Sequence, residues 1–213
     1  MRLIARDLKK VFNRRVVFRD LSFEVKSGEV LSITGPNGSG KSTASKIICG
    51  VLSPTSGEIE FSNGEEKVDR EEIYKRVGLV SPYLELYGEF TALENLLIES
   101  KARNLAKEAE ERANEVLELV GLYGRRNDEL RGFSSGMKQR LKYAAALIHD
   151  PDVLVLDEPT ANLDTAGTDM VFAVIERYRR EKIVVLATND SDEAALGDVK
   201  VVLQKSLGNS SGR

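Results

Sequence analysis

The strongest constraint on the fold is the stretch GPNGSGKST, Gly35 to Thr43, which follows the apolar run EVLSIT. Its spacing is Gly, four residues, Gly, Lys, Ser, set between a run suited to a buried strand and a segment read as helical from about Lys41 to Cys49. Glycines here let the backbone turn so that successive amide hydrogens face inward, and the N-terminus of the next helix adds partial positive charge. Such a concavity fits phosphate groups. Gly35, Asn37, Gly38, Ser39, Gly40, Lys41, Ser42 and Thr43 are therefore the candidate nucleotide-binding residues. Lys41 is a flexible point charge for β and γ phosphates, Ser42 offers a hydroxyl to magnesium, and Thr43 is placed for the α phosphate.

A second strand end suits the same crevice. In VLVLDEPTANLD, Asp157 closes an apolar run, where an open parallel sheet delivers residues to its ligand. Asp157 would accept hydrogen bonds from magnesium-bound water, and Glu158 would polarise the attacking water. IVVLAT reads as another short buried strand, with Thr188 and Asp190 as the turn and cap beyond it, and VKVVLQ closes the sheet. The N-terminal runs LIARDLKKVF and RVVFRDLSFEV, the turn Lys26-Ser27-Gly28 and a strand from Glu58 to Phe61 predict an antiparallel edge.

From about Pro82 the character changes. Residues 92 to 120 read as helical, with Leu105, Ala109, Ala113, Val116, Leu117 and Val120 as an apolar stripe. Further helices are expected from Ser134 to about His149 and from Thr168 to Arg180. The expected organisation is a catalytic core from 1–80 and 150–205, carrying the antiparallel edge, and a helical subdomain over 82–149.

Composition narrows the function classes. The chain has 213 residues, 31 Lys plus Arg and 34 Asp plus Glu, so no general basic field favours nucleic acid. Lys9, Lys10, Arg14, Arg15 and Arg19 are read as a solvated face. The single cysteine, Cys49, excludes an intramolecular disulfide and reads as a packing residue, as expected in a reducing compartment. No run approaches the length that crosses a bilayer, so any membrane role needs a partner. His149, the one histidine, is expected at a helix end, and the terminal SLGNSSGR is read as frayed or vector-derived.

These motifs, with the intervening FSSGMKQR, resemble the nucleotide-binding domain of ATP-binding cassette (ABC) transporters over nearly the whole chain. The resemblance implies an α/β P-loop NTPase fold of the ABC ATPase type with an antiparallel β subdomain and a small helical subdomain. It implies ATP and Mg2+ as cofactors, with Ser42 and Asp157 at the metal and Lys41, Glu158 and Asn189 in catalysis. Phe12 matches the aromatic that stacks on adenine, Phe18 being the nearby competitor that packs in its strand. Ser134, Ser135 and Gly136 of FSSGM correspond to a signature that reaches the nucleotide of the opposite subunit in a head-to-tail dimer. ANLD matches the loop that communicates between subunits, with Asp164 its key carboxylate. The implied partners are a second ATPase subunit, identical or paired, and an integral membrane subunit meeting the helical lobe and residues 82–90. That membrane subunit would hold the chain peripherally on the cytoplasmic face.

Four positions depart from the pattern. Met137 stands for a glutamine, Ser135 for a glycine, Pro82 for a glutamine that touches magnesium or its water, and Asn189 for the histidine of LATHD. Proline has no side-chain acceptor, so Ser81 or water must substitute, or the ligand is absent. The expected function is a slow or partner-stimulated ATPase driving transport, more readily export than import. The alternative is an ATP-dependent dimerisation clamp or scaffold. The short chain and its signature resemble the branch containing the haem exporters of cytochrome c maturation and several multidrug or lipid exporters.

Overall fold

The structure is a computed structural model that describes residues 1–105 and 108–205. The tail SLGNSSGR lies outside the described residues. Strand β1 (Arg2–Phe12) turns back into β2 (Arg15–Lys26) through Asn13 and Arg14, both left-handed, as a tight two-residue hairpin requires. β3 (Val30–Thr34) leads through the glycine loop into α1 (Lys41–Ile48). β4 (Ser56–Asn63) and the short β5 (Glu66–Lys67) complete an antiparallel sheet in the order β2-β1-β4-β5.

A short α2 (Ile73–Arg76) enters β6 (Val77–Val80), and the chain then leaves the sheet for α3 (Ala92–Ala102), α4 (Ala109–Leu119) and α5 (Ser135–Leu147). It returns in β7 (Val153–Asp157), α6 (Thr165–Tyr178), β8 (Ile183–Ala187), α7 (Ser191–Ala195) and β9 (Val199–Val202). β6, β7, β8, β3 and β9 form a parallel sheet in that spatial order. All five strands point the same way, so the residues that follow β3, β6, β7 and β8 meet along one edge. β7 and β8 are buried at every position, which explains their unbroken apolar runs.

The helical run expected over 92 to 120 is two helices. Asn104 adopts φ 61, the amide of Leu105 donates to the Ser100 carbonyl at 3.0 Å and that of Asn104 to Lys101 at 3.1 Å, which closes α3 in a Schellman motif. Leu105 is exposed and falls outside the stripe, whereas Ala113, Val116, Leu117 and Val120 are buried. The same device ends α4 at Gly121 (φ 69), where glycine makes the stop readable. Residues 82–149, expected as a helical subdomain of one domain, share a hydrophobic cluster with the parallel sheet: Leu96, Leu117 and Leu141 are continuous with Leu154, Leu156 and Val184.

Helix α5 is seated on β6 at its C-terminal end. A Cβ on Gly78 would lie 2.4 Å from the Ala146 carbonyl oxygen. His149 follows α5 as expected, yet it turns inward: its Nε2 lies 3.2 Å from the Val77 carbonyl, so this nitrogen carries the hydrogen, and Nδ1 is buried with no partner. Burial first, and the charge of Arg103 second, push its pKa down to about 4. The unfolded chain takes up this proton near 6.5, so the folded state loses stability as pH falls from about 6.5 to about 4, by on the order of 3 kcal/mol in all. His149→Gln should flatten that part of the pH dependence of the urea midpoint relative to the parent chain; superimposable profiles would contradict this account. Gly78→Ala should destabilise the chain by about 1 to 3 kcal/mol in the same assay, because a backbone carbonyl occupies the space its methyl needs.

Candidate nucleotide-binding site

The loop after β3 is shaped by close approach as much as by flexibility. A Cβ on Gly35 (φ 142) would sit 2.3 Å from the Leu203 carbonyl oxygen, and one on Gly40 (φ 103) 2.7 Å from Val17. Gly40 caps α1 in the left-handed region and leaves the amides of the first turn unclaimed by a side chain. Lys41 is buried and its Nζ donates to the Gly35 carbonyl at 2.8 Å, folded back across the loop it spans. Ser39 is fully buried, and its Oγ has no protein partner. A cradle of amides, one buried cation and an unclaimed hydroxyl fits a phosphate chain.

Asp157 is 1% exposed at the end of β7. Ser42 Oγ donates to its Oδ1 at 3.1 Å and Ser81 Oγ to its Oδ2 at 3.3 Å. Burial raises the carboxyl pKa, and the two hydroxyls oppose that rise. An all-oxygen set with one carboxylate suits Mg2+, which takes few protein ligands and completes its shell with water and phosphate oxygens. Ser81, the neighbour of Pro82, thus supplies the second hydroxyl on Asp157. Next in the chain, Glu158 is held at φ 52 while its amide donates to the Ala187 carbonyl at 2.9 Å. A left-handed glutamate is a strained backbone fixed by the neighbouring strand, a pattern that clusters at functional sites.

Beyond β8, Thr188 Oγ1 accepts from the amide of Asp190 at 2.9 Å, and Asp190 caps α7 through the amides of Asp192 and Glu193. Asn189 stands between them, exposed, and its Nδ2 donates to Asn37 Oδ1 of the phosphate loop at 3.1 Å. The edge of the sheet therefore brings Asn37, Lys41, Ser42, Asp157, Glu158 and Asn189 to one place. Phe12 is exposed beside a cavity of about 330 Å³ that it lines with Arg15, Val17, Gly38 and Lys205, and Lys10 lies over its ring at 4.7 Å. Phe18 is buried against the position of Gly40.

Ser134 caps α5 by accepting from the Met137 amide at 3.2 Å, and Ser135 and Gly136 form the first helical positions. They belong to the helical lobe, where α5 packs on β6, α3 and α4. Asp164 caps α6 by accepting from Gly167 at 2.8 Å. The sequence reading missed Glu193, which is buried and accepts from the hydroxyl of Thr160 at 2.6 Å and from its amide at 3.3 Å. It also missed Tyr143, whose hydroxyl donates to the Pro159 carbonyl at 2.7 Å. Both brace the loop that carries Glu158. Glu193 is hidden in the sequence because it follows two exposed polar residues in a five-residue helix.

A glycine-rich amide cradle opposite an Asp-Glu pair at the C-terminal edge of a parallel sheet suits the phosphate chain of a nucleotide. The family described as "ABC transporter" matches residues 18–161. The chain is 35% identical over 188 residues to the linearmycin resistance ATP-binding protein LnrL of Bacillus subtilis, covering 88% of this chain and 60% of that protein. It is 36% identical over 180 residues to the bacitracin transport ATP-binding protein BcrA of Bacillus licheniformis, covering 84% and 58%. The lipoprotein-releasing ATP-binding protein LolD of Leptospira interrogans matches at 33% identity, over 89% of this chain and 83% of that protein. Among solved structures, a dimeric ATP-binding cassette in a post-hydrolysis state with ADP and Pi superposes with TM-score 0.84 at 26% identity, covering 96% of each chain. The chain belongs to the ABC transporter family. It spans 60% of the length of LnrL and 58% of BcrA.

If Phe12 stacks on the base, Phe12→Ala should raise the ATP dissociation constant by a factor equivalent to about 1 to 3 kcal/mol in a calorimetric titration. Unchanged affinity would remove Phe12 from the site.

Proposed function

We propose that this chain binds and hydrolyses Mg-ATP in a head-to-tail dimer to drive transport, most readily export, through an integral membrane subunit. The observation that carries this reading is the convergence of the phosphate cradle, the Ser42–Asp157 pair, Glu158 and Asn189 at one edge. Lys41 and the loop amides bind and orient the phosphates, with Asn37, Ser39 and Thr43 completing the cradle. Ser42 and Asp157 would hold Mg2+, which when bound would supply charge to neutralise developing phosphate charge. Glu158 accepts hydrogen bonding from the water it aligns, and Phe12 supports the base.

Ser134 presents a hydroxyl at a helix start beside the amides of Ser135 and Gly136, an anion site for the nucleotide of the opposing subunit. Asp164, rigidified as a helix cap, faces the subunit contact in this reading. Tyr83, Tyr87 and Phe90 are exposed within residues 82–90, which supports that segment and the helical lobe as the surface for the membrane subunit. Among the described residues no helix is long and apolar enough to cross a membrane. Peripheral attachment on the cytoplasmic face belongs to the same proposal.

On cargo, LnrL, BcrA and LolD are named for linearmycin resistance, bacitracin transport and lipoprotein release. Those names support the multidrug or lipid exporter side of the resemblance over haem export for cytochrome c maturation. The clamp reading is not favoured: Glu158 is present, and a solved relative was captured with ADP and Pi.

Glu158→Gln should reduce Mg2+-dependent ATP hydrolysis to background while ATP binding persists and dimers accumulate in size-exclusion chromatography. Hydrolysis at the parent rate would overturn the assignment of Glu158. Asn189→His should raise turnover if asparagine stabilises phosphate charge less than a histidine does. No gain would mean that the surroundings are tuned to the amide.

A further inference from the structure

The chain from Ser81 to Leu84 is a built turn. The Leu84 amide donates to the Ser81 carbonyl at 3.1 Å, with Pro82 at the second position, where its fixed φ favours such turns. The Tyr83 amide points at Ser81 Oγ from 3.4 Å, so that oxygen accepts from the turn while its hydrogen goes to Asp157 Oδ2 at 3.3 Å. Proline here has a positive role: it closes the turn that aims a serine at the metal carboxylate.

One side chain from elsewhere grips this turn. Lys142, on α5 two turns beyond the Ser134–Gly136 start, donates through Nζ to the Ser81 carbonyl at 3.3 Å and the Pro82 carbonyl at 3.0 Å. It is partly buried, and desolvation lowers its pKa. A lysine placed there spends its charge on two carbonyls that no backbone amide in the turn can serve together. Helix α5 also carries Tyr143, bonded to the Pro159 carbonyl beside Glu158. The signature helix thus reaches both sides of Asp157.

We propose that Lys142 is a positioning residue: by clamping the Ser81–Pro82 turn it fixes Ser81 against Asp157 and ties the metal site to the signature helix. This rests on the reading of Ser42 and Asp157 as the Mg2+ site. It makes the Ser81 hydroxyl, rather than a side chain at position 82, the group that orders the second carboxylate oxygen. Motion of α5 relative to the sheet is then transmitted to that oxygen through one lysine.

The test is the ratio of dissociation constants for a non-hydrolysable ATP analogue measured in EDTA and in Mg2+, using the full chain. Lys142→Met and Ser81→Ala should each shrink that ratio by on the order of 5-fold, and the double variant should shrink it no further, since coupled residues are not additive. Lys142→Arg, which keeps a donor, should recover most of the ratio. Affinity in EDTA, set by the phosphate loop, should stay at the parent value in all four. A Lys142→Met ratio within twofold of the parent, or effects of Lys142→Met and Ser81→Ala that multiply, would overturn the proposal. Loss of affinity in EDTA as well would make Lys142 a general structural clamp and overturn it too. A parent chain whose analogue affinity ignores Mg2+ would overturn the metal reading itself, and this proposal with it.

Discussion

A carboxylate buried to 1% exposure at the end of an entirely buried strand is the constraint to which the rest of the architecture answers. Left alone, Asp157 would be expelled or protonated, because desolvation penalises its charged form. Two hydroxyls offset that cost, and they come from different elements: Ser42 from the first turn of α1 and Ser81 from just beyond β6. To deliver them, α1 must pack under β7 and β6 must be its neighbour, which is the observed arrangement. The strand order of the parallel sheet and the chemistry of the site are thus one requirement.

Much of this was legible because the signals were local. The glycine spacing between an apolar run and a helix located the phosphate cradle, and uninterrupted apolar runs ending in Asp157 and in Thr188 located the strands that face it. Positions whose partners lie far away in sequence were not legible. Thr160 and Glu193 are 33 residues apart, and Lys142 and Pro82 are 60 apart; nothing in the residue types themselves pairs them. The split between α3 and α4 was missed for a different reason. Its stop is Asn104, which tolerates the left-handed region yet sits amid residues of high helix propensity, whereas Gly121 advertises the same turn.

The bond between Thr160 and Glu193 joins two parts of the site that the sequence treats as separate motifs. Thr160 lies two residues after Glu158, and Glu193 lies in the helix that begins just after Asn189. Glu193 is itself oriented by Asp190, whose carboxylate caps its amide at 3.0 Å. Asp190 therefore fixes α7, α7 fixes Glu193, and Glu193 fixes the loop that holds Glu158 in its left-handed conformation. The polar cluster after β8, ordinary as a turn and cap, is a brace for the candidate water-polarising carboxylate.

Asn189 completes that brace from the other side. Its amide hydrogen engages Asn37, so the end of β8 is fastened directly to the phosphate loop across 152 residues of sequence. One further hydrogen on Nδ2 and the lone pairs of its oxygen remain for a ligand. An amide makes these contacts without carrying a proton into or out of the site. The bond to Asn37 fixes the Asn189 side chain against the loop, so its placement is set by a protein contact that joins two ends of the sheet edge.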